Sequence, residues 1–334
     1  MQGRYAQFVV GPAGSGKSTY CFTIQNFMNS NKHRLPALVV NLDPGQERTE
    51  KHEEELPFDA DVRDLISVSD VIEELGFGPN GALVFCMEHL VENLEWLKDS
   101  LDEIGSSDDE YFIFDCPGQI ELYTHIPVLR TIIKSLESWN INVCVVHVID
   151  ALFIDDSSKY ISGSLLALTS MMQLQTAAVN IITKCDLKAS ALGGGRKRRP
   201  KPRGIHFNST TSGSAALDAL AKAEEEDTTV EDEDEDENEP EFLNIDDPEY
   251  LNPDPITLRE SLAESSVSPA FQRLGESIAD LLESYNLVSF LPLDITSEES
   301  MEIILGHIDN ATQYGEDLEP RDPGETEEQE ENDM

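Results

Sequence analysis

Gly11-Pro12-Ala13-Gly14-Ser15-Gly16-Lys17-Ser18 places its glycines, lysine and hydroxyl at the spacing G-x-x-x-x-G-K-[ST]. That arrangement suits a triphosphate. Glycines let backbone N–H groups turn inward around phosphate oxygens, and a helix beginning at Lys17 adds the positive end of its dipole. Lys17 is expected to reach the β- and γ-phosphates, the Ser18 hydroxyl to take a position on Mg²⁺, and Thr19 to stand in the same first helical turn.

Three further groups carry chemistry. Asp43 closes an apolar run and leads into Pro44-Gly45-Gln46-Glu47; Asp115-Cys116-Pro117-Gly118-Gln119 closes another. An aspartate at such a strand end can hold Mg²⁺, directly or through water, and a glycine N–H beside it can contact the γ-phosphate. Ser18, Asp43 and Asp115 are therefore the expected metal set, and Asp43 and Gln119 the residues that orient an attacking water. Arg63 is a further cation, read as an exposed structural arginine. Thr183-Lys184-Cys185-Asp186 bears on the base. A carboxylate accepts two hydrogen bonds from the guanine edge that adenine does not offer, and a lysine stem can lie over a purine. Ser289 to Leu293 would add a last loop around the base. Gly78-Pro79-Asn80 reads locally as a turn entering a helix, with Asn80 as its N-cap.

The elements around these residues must hold them at one edge. Phe8-Val9-Val10 leads into the phosphate loop, and a helix is expected from Thr19 to Met28. Strands are expected at Ala37–Asp43, Tyr111–Asp115, Val143–Ile149, Ala177–Ile182 and Leu287–Leu291. The near-continuous apolar run around His147 suits a strand buried on both faces. Between them the pattern predicts an amphipathic stretch at Val71–Leu75 and one long helix from Leu83 to about Ile104. Further helices are expected at Gly163–Leu174, at Pro269–Ser284 and from Ser297 to about Asn310, the last opened by a capping box. Strands alternating with helices give an α/β domain with a mainly parallel sheet, and in such sheets ligands gather at the carboxyl ends of the strands.

The formal charge of −43 over 334 residues is unevenly placed. Residues 224–249 hold 16 acids and no Lys or Arg, and residues 316–334 hold 10 acids against one Arg. The remainder is acidic too, which argues against a nucleic-acid surface. The expected organisation is one domain over 1–189 and 250–315, a disordered basic and acidic insertion over 190–249, and a disordered acidic tail over 316–334. The basic stretch Arg196 to Arg203 reads equally as a nuclear-import signal or as a solvated linker. Five scattered cysteines read as reduced core residues, the phosphate loop begins too early to leave room for a signal peptide, and no apolar run is long enough for a membrane. The expectation is a soluble cytoplasmic protein, with nuclear shuttling as an option.

Taken together and in order, Gly11 to Ser18, Asp43-Pro44-Gly45, Gly78-Pro79-Asn80-Gly81-Ala82, Asp115-x-Pro117-Gly118-Gln119 and Thr183-Lys184-x-Asp186 resemble the GPN-loop GTPases. The resemblance spans about 2–190 and 250–318 and implies a P-loop NTPase fold with a helical insertion carrying the Gly-Pro-Asn loop. It implies binding of GTP and GDP with Mg²⁺, and dimers, with a paralogue or with self, in which Gly78, Pro79 and Asn80 enter the other subunit's site and Asn80 meets the γ-phosphate. It further implies a factor for assembly and nuclear import of RNA polymerase II, with the polymerase subunits as partners. Two other readings stand beside the switch: a nucleotide-loaded assembly adaptor with slow hydrolysis, and a nucleotide or polynucleotide kinase, for which basic acceptor-binding segments are scarce.

Overall fold

The computed structural model describes residues 3–31, 34–46, 58–105, 109–153, 157–185, 273–275, 277–278, 280–281 and 288–315. All of them belong to one unit built from residues 1–192 and 242–334. Asp186, the 190–249 insertion, the acidic tail and most of the expected Pro269–Ser284 helix lie outside the described residues.

Seven parallel strands form one sheet: β1 (Arg4–Val10), β2 (Ala37–Asn41), β3 (Ala60–Asp61), β4 (Glu110–Asp115), β5 (Ile141–Asp150), β6 (Ala177–Thr183) and β7 (Phe290–Pro292), in the order β3-β2-β4-β1-β5-β6-β7. The expected doubly covered parallel sheet is what forms. β1 lies at its centre between β4 and β5, with Val9 opposite Asp115 and Val10 opposite His147. Asp150 faces Thr183 across β5 and β6. The phosphate loop, Asp115, Asp150 and Thr183 therefore leave the sheet along one edge.

Helices follow in the order α1 (Lys17–Ser30), α2 (Val68–Leu75), α3 (Pro79–Glu92), α4 (Leu94–Ile104), α5 (Glu121–Thr124), α6 (Val128–Ser138), α7 (Ser157–Leu174) and α8 (Glu298–Thr312). Period-two alternation divides β1 between the layers. Ala6, Phe8 and Val10 face a core closed by α3, α4 and α6, while Tyr5 and Val9 face one closed by α1 and α8. A third cluster joins Ile149, Ile182 and Phe290 to Tyr160 and Ile161 of α7. All five cysteines are free and buried. Among the described residues, no helix is long and apolar enough to cross a membrane.

Several element expectations change. The single helix over 83–104 is two, because Asn93 leaves helical geometry (φ −118°, ψ 40°) and its side chain donates to the His89 carbonyl at 2.8 Å, competing with the ladder. The helix ahead of it starts at Pro79, whose fixed φ suits the first position, with Gly78 as the cap. Asn80, two residues past that cap, is the second helical position and not the N-cap. At α8, Ser297 caps the Ser300 N–H, but the third helical position is Ser300 itself, so the box loses its returning glutamate. β3 and the helices at 121–124 and 128–138 add to the elements expected from the sequence.

Candidate functional site

The phosphate loop is shaped by contacts that leave little room. A Cβ at Gly11 would come within 2.2 Å of the Val148 carbonyl, so only glycine can end β1 beside β5. Ser15 N–H donates to the Pro12 carbonyl at 3.2 Å, closing the turn before α1. The first N–H groups of α1 have no acceptor within the helix, as at any helix start. The Ser15 hydroxyl is buried with no partner, and Lys17 is buried with its ammonium donating to the Pro12 carbonyl at 3.3 Å. An orphaned hydroxyl, a lysine and free N–H groups in one concavity make a seat for an anion.

Asp115 meets this seat from β4. The Ser18 hydroxyl donates to its Oδ2 at 2.5 Å, and its Oδ1 is buried without a partner. Burial pushes the carboxyl up to about 6, with the Ser18 hydrogen bond and the Lys17 charge acting in the opposite direction. Gly118 then passes directly against the loop: a Cβ there would stand 2.8 Å from the Ala13 Cα. Beyond it, the Gln119 Oε1 is buried without a partner.

Asp43 joins from β2. Asn41, fully buried at the strand end, accepts from the Asp43 N–H at 2.9 Å and donates to Asp61 at 3.0 Å. The Asp43 carboxylate accepts from Gly45 N–H at 2.9 Å; burial raises its pKa, while Gly45, Lys17 and Arg63 lower it. Arg63 is not the exposed residue expected from the sequence. Its guanidinium is buried against Asp61, with Nε 2.8 Å from Oδ2, and donates to the Gln46 carbonyl at 3.2 Å. It braces the Asp43 loop. Asn41 and Asp61 carry no joint signal in the sequence: Asn41 lies two residues before Asp43, and Asp61 lies on a two-residue strand.

On the base side, the Thr183 hydroxyl donates to the carbonyls of Ser15 at 2.6 Å and Ile149 at 3.1 Å, tying the end of β6 to the phosphate loop. Lys184 reaches back over the loop, its ammonium donating to the Gly14 carbonyl at 2.8 Å. The Asp186 carboxylate lies outside the described residues. Ser289 donates its carbonyl to a different task, accepting from Asn180 at 3.3 Å.

Gly78, Pro79 and Asn80 are exposed, and no hydrogen bond among the described residues joins the Asn80 side chain to the phosphate loop. Beside them Leu75 and Phe77 expose 50% and 43% of their surface. Gly45 and Val68 link the regions, since Val68 N–H donates to the Pro44 carbonyl at 3.0 Å. Among the described residues, no cluster of three or more His, Cys, Asp or Glu could hold a metal by itself.

Residues 9–314 match the family model described as "Conserved hypothetical ATP binding protein". A Kluyveromyces lactis protein named GPN-loop GTPase 3 is 40% identical over 323 residues, covering 96% of this chain and 97% of the relative. Proteins of the same name from Danio rerio and Saccharomyces cerevisiae are 39% and 38% identical, over 98% and 96% of this chain and 94% and 97% of theirs. The crystal structure of a GTPase in apo form from Pyrococcus abyssi superposes with a TM-score of 0.60 at 20% identity, covering 92% of this chain and 97% of that one, a likeness of fold.

Proposed function

The chain is a GTPase of the GPN-loop family, and from that premise we propose a GTP-hydrolysing switch that works as a dimer with a paralogue of the same family or with a second copy. The observation that carries the site is the Ser18–Asp115 hydrogen bond, set against a phosphate loop and leaving one buried Asp115 oxygen unpartnered. That donor set fits Mg²⁺: Ser18 and Asp115, with Asp43 beside them, would hold it, and it would neutralise charge on the phosphates.

The rest is the chain's own work. Lys17 and the loop N–H groups bind the phosphates, and Gly118 brings its peptide against them. Asp43, braced by Asn41, Asp61 and Arg63, and Gln119, with an unpartnered amide oxygen, are the groups that orient the water. Lys184 and Asp186 select guanine over the adenine that the family model's description names, because a carboxylate suits the guanine edge. Asn80, exposed and away from its own phosphate loop, acts in trans. The motif resemblance supports a role in assembling RNA polymerase II and bringing it to the nucleus, starting from the cytoplasm, with polymerase subunits as clients.

Single-turnover hydrolysis of GTP, with and without the paralogue, tests the reading. In Asn80→Ala, GTP affinity should hold while turnover falls about 10- to 100-fold, the scale of losing one transition-state contact. Equal losses in affinity and turnover would remove the trans role. No turnover in either condition would leave a nucleotide-loaded adaptor.

A further inference from the structure

Asp150 ends β5 directly across from Thr183, and its two oxygens face different ways. Oδ1 accepts from the Leu152 N–H at 3.0 Å, turning the chain into the short 3-10 segment Ala151–Phe153. Oδ2 accepts from the Lys184 ammonium at 2.5 Å. The same ammonium donates to the Gly14 carbonyl. Lys184 is thus clamped at its tip, between the end of β5 and the phosphate loop, while its backbone sits at φ 63°, a conformation uncommon for a residue with a Cβ. With its ammonium held by two acceptors, Lys184 has its methylene stem to offer a ligand.

We infer that Asp150 is the positioning residue of the base site: it holds the Lys184 stem as a ready platform for a purine. The inference rests on the guanine reading of this site. Asp150 touches no nucleotide itself and acts through Lys184. A free lysine would have to be ordered on binding, at a cost in side-chain entropy that the Asp150 pair removes beforehand. The carboxylate at a strand end is the same signal that marked Asp43 and Asp115, but here it serves a neighbouring side chain.

The test compares GDP, ADP and pyrophosphate on the full chain by equilibrium titration. Pyrophosphate uses the phosphate loop alone. Asp150→Ala should weaken GDP about 10- to 100-fold, as expected for loss of a charge-assisted contact that organises the site, and leave pyrophosphate unchanged. Asp150→Asn keeps one acceptor oxygen, for the Leu152 N–H, and sets an amide NH2 against the Lys184 ammonium, so it should weaken GDP as much as Asp150→Ala. Lys184→Met keeps the stem length and removes the amine. It should reproduce the Asp150→Ala loss, and the double variant should be no worse than either single one. Additive losses, or a parallel loss of pyrophosphate binding, would make Asp150 a merely structural residue and overturn the inference. A wild-type chain that holds GDP no better than ADP or pyrophosphate would remove the guanine reading itself, and the role of Asp150 with it.

Discussion

Asp115 and His147 are both buried ionisable groups on neighbouring parts of the sheet, and burial moves them in opposite directions. The Asp115 carboxyl has partners: Ser18 at 2.5 Å and the Lys17 charge nearby. His147 has none, and both ring nitrogens are orphaned beside the Tyr123 ring, whose hydroxyl is orphaned too. Burial lowers the imidazole from 6.5 to about 4. The folded chain therefore keeps His147 neutral where the unfolded chain takes up a proton. Stability from this residue is complete above 6.5 and is lost as pH falls from there toward 4. Urea titrations at several pH values should show the wild type losing on the order of 1 kcal/mol per pH unit more than His147→Gln across this window. Parallel curves would mean that the histidine finds a partner on protonation.

Elements set what the residues can reach. α2 is capped at both ends: Ser67 accepts from the Asp70 N–H at 3.2 Å, and Gly76 closes it at φ 67° with its N–H on the Ile72 carbonyl. The chain is then free to present Phe77 to Asn80 before Pro79 starts α3. At the opposite end of the sheet, α8 is pinned by Arg34, whose two Nη atoms donate to Asp309 at 3.2 and 2.7 Å and whose guanidinium lies 5.6 Å from the Tyr314 ring. The Tyr314 hydroxyl accepts from Leu35 N–H at 3.0 Å, and Gly315 N–H donates to the Tyr5 hydroxyl at 3.3 Å. These contacts gather near the start of β1, away from the phosphate loop at its end. Arg34→Ala should cost about 2 kcal/mol, because it strands a half-buried Asp309. GDP affinity should stay unchanged, and a thermal melt beside a titration reads both. A fall in affinity would mean that α8 also shapes the nucleotide edge.

At the scale of the whole molecule, the proposed dimer would complete the site from a second subunit. The phosphate loop, Asp115 and Lys184 gather along one edge of the sheet, while Asn80, Leu75 and Phe77 are exposed, Phe77 meeting the Phe85 ring edge-on at 5.7 Å. Apolar side chains left exposed around a polar loop suit a buried protein contact. Phe77→Ser should cost the isolated chain about 1 kcal/mol, the scale of its edge-to-face contact with Phe85, and weaken its pairing by about tenfold or more, as for an aromatic anchor at an interface centre. Sedimentation with the paralogue and alone measures this. Unchanged pairing would place the interface elsewhere.

Much of this was legible in the sequence, for a physical reason. Phosphate binding depends on backbone N–H groups, and the glycines that expose them must occur at set spacings along one stretch of chain. A strand buried on both faces must be apolar throughout, so β1, β4 and β5 declared themselves and ended on the residues that matter. Tertiary structure decided whatever depends on pairing across distance. Arg63 looked like a surface cation, but its guanidinium donates to the Gln46 carbonyl, 17 positions away, and pairs with Asp61, which Asn41 of β2 also holds. The turn at Gly78-Pro79-Asn80 looked capped by Asn80 until the helix began at Pro79. Asp150 and Lys184 are 34 positions apart and carry no shared local pattern. Only the in-register pairing of β5 with β6 sets the carboxylate against the ammonium and both against the phosphate loop.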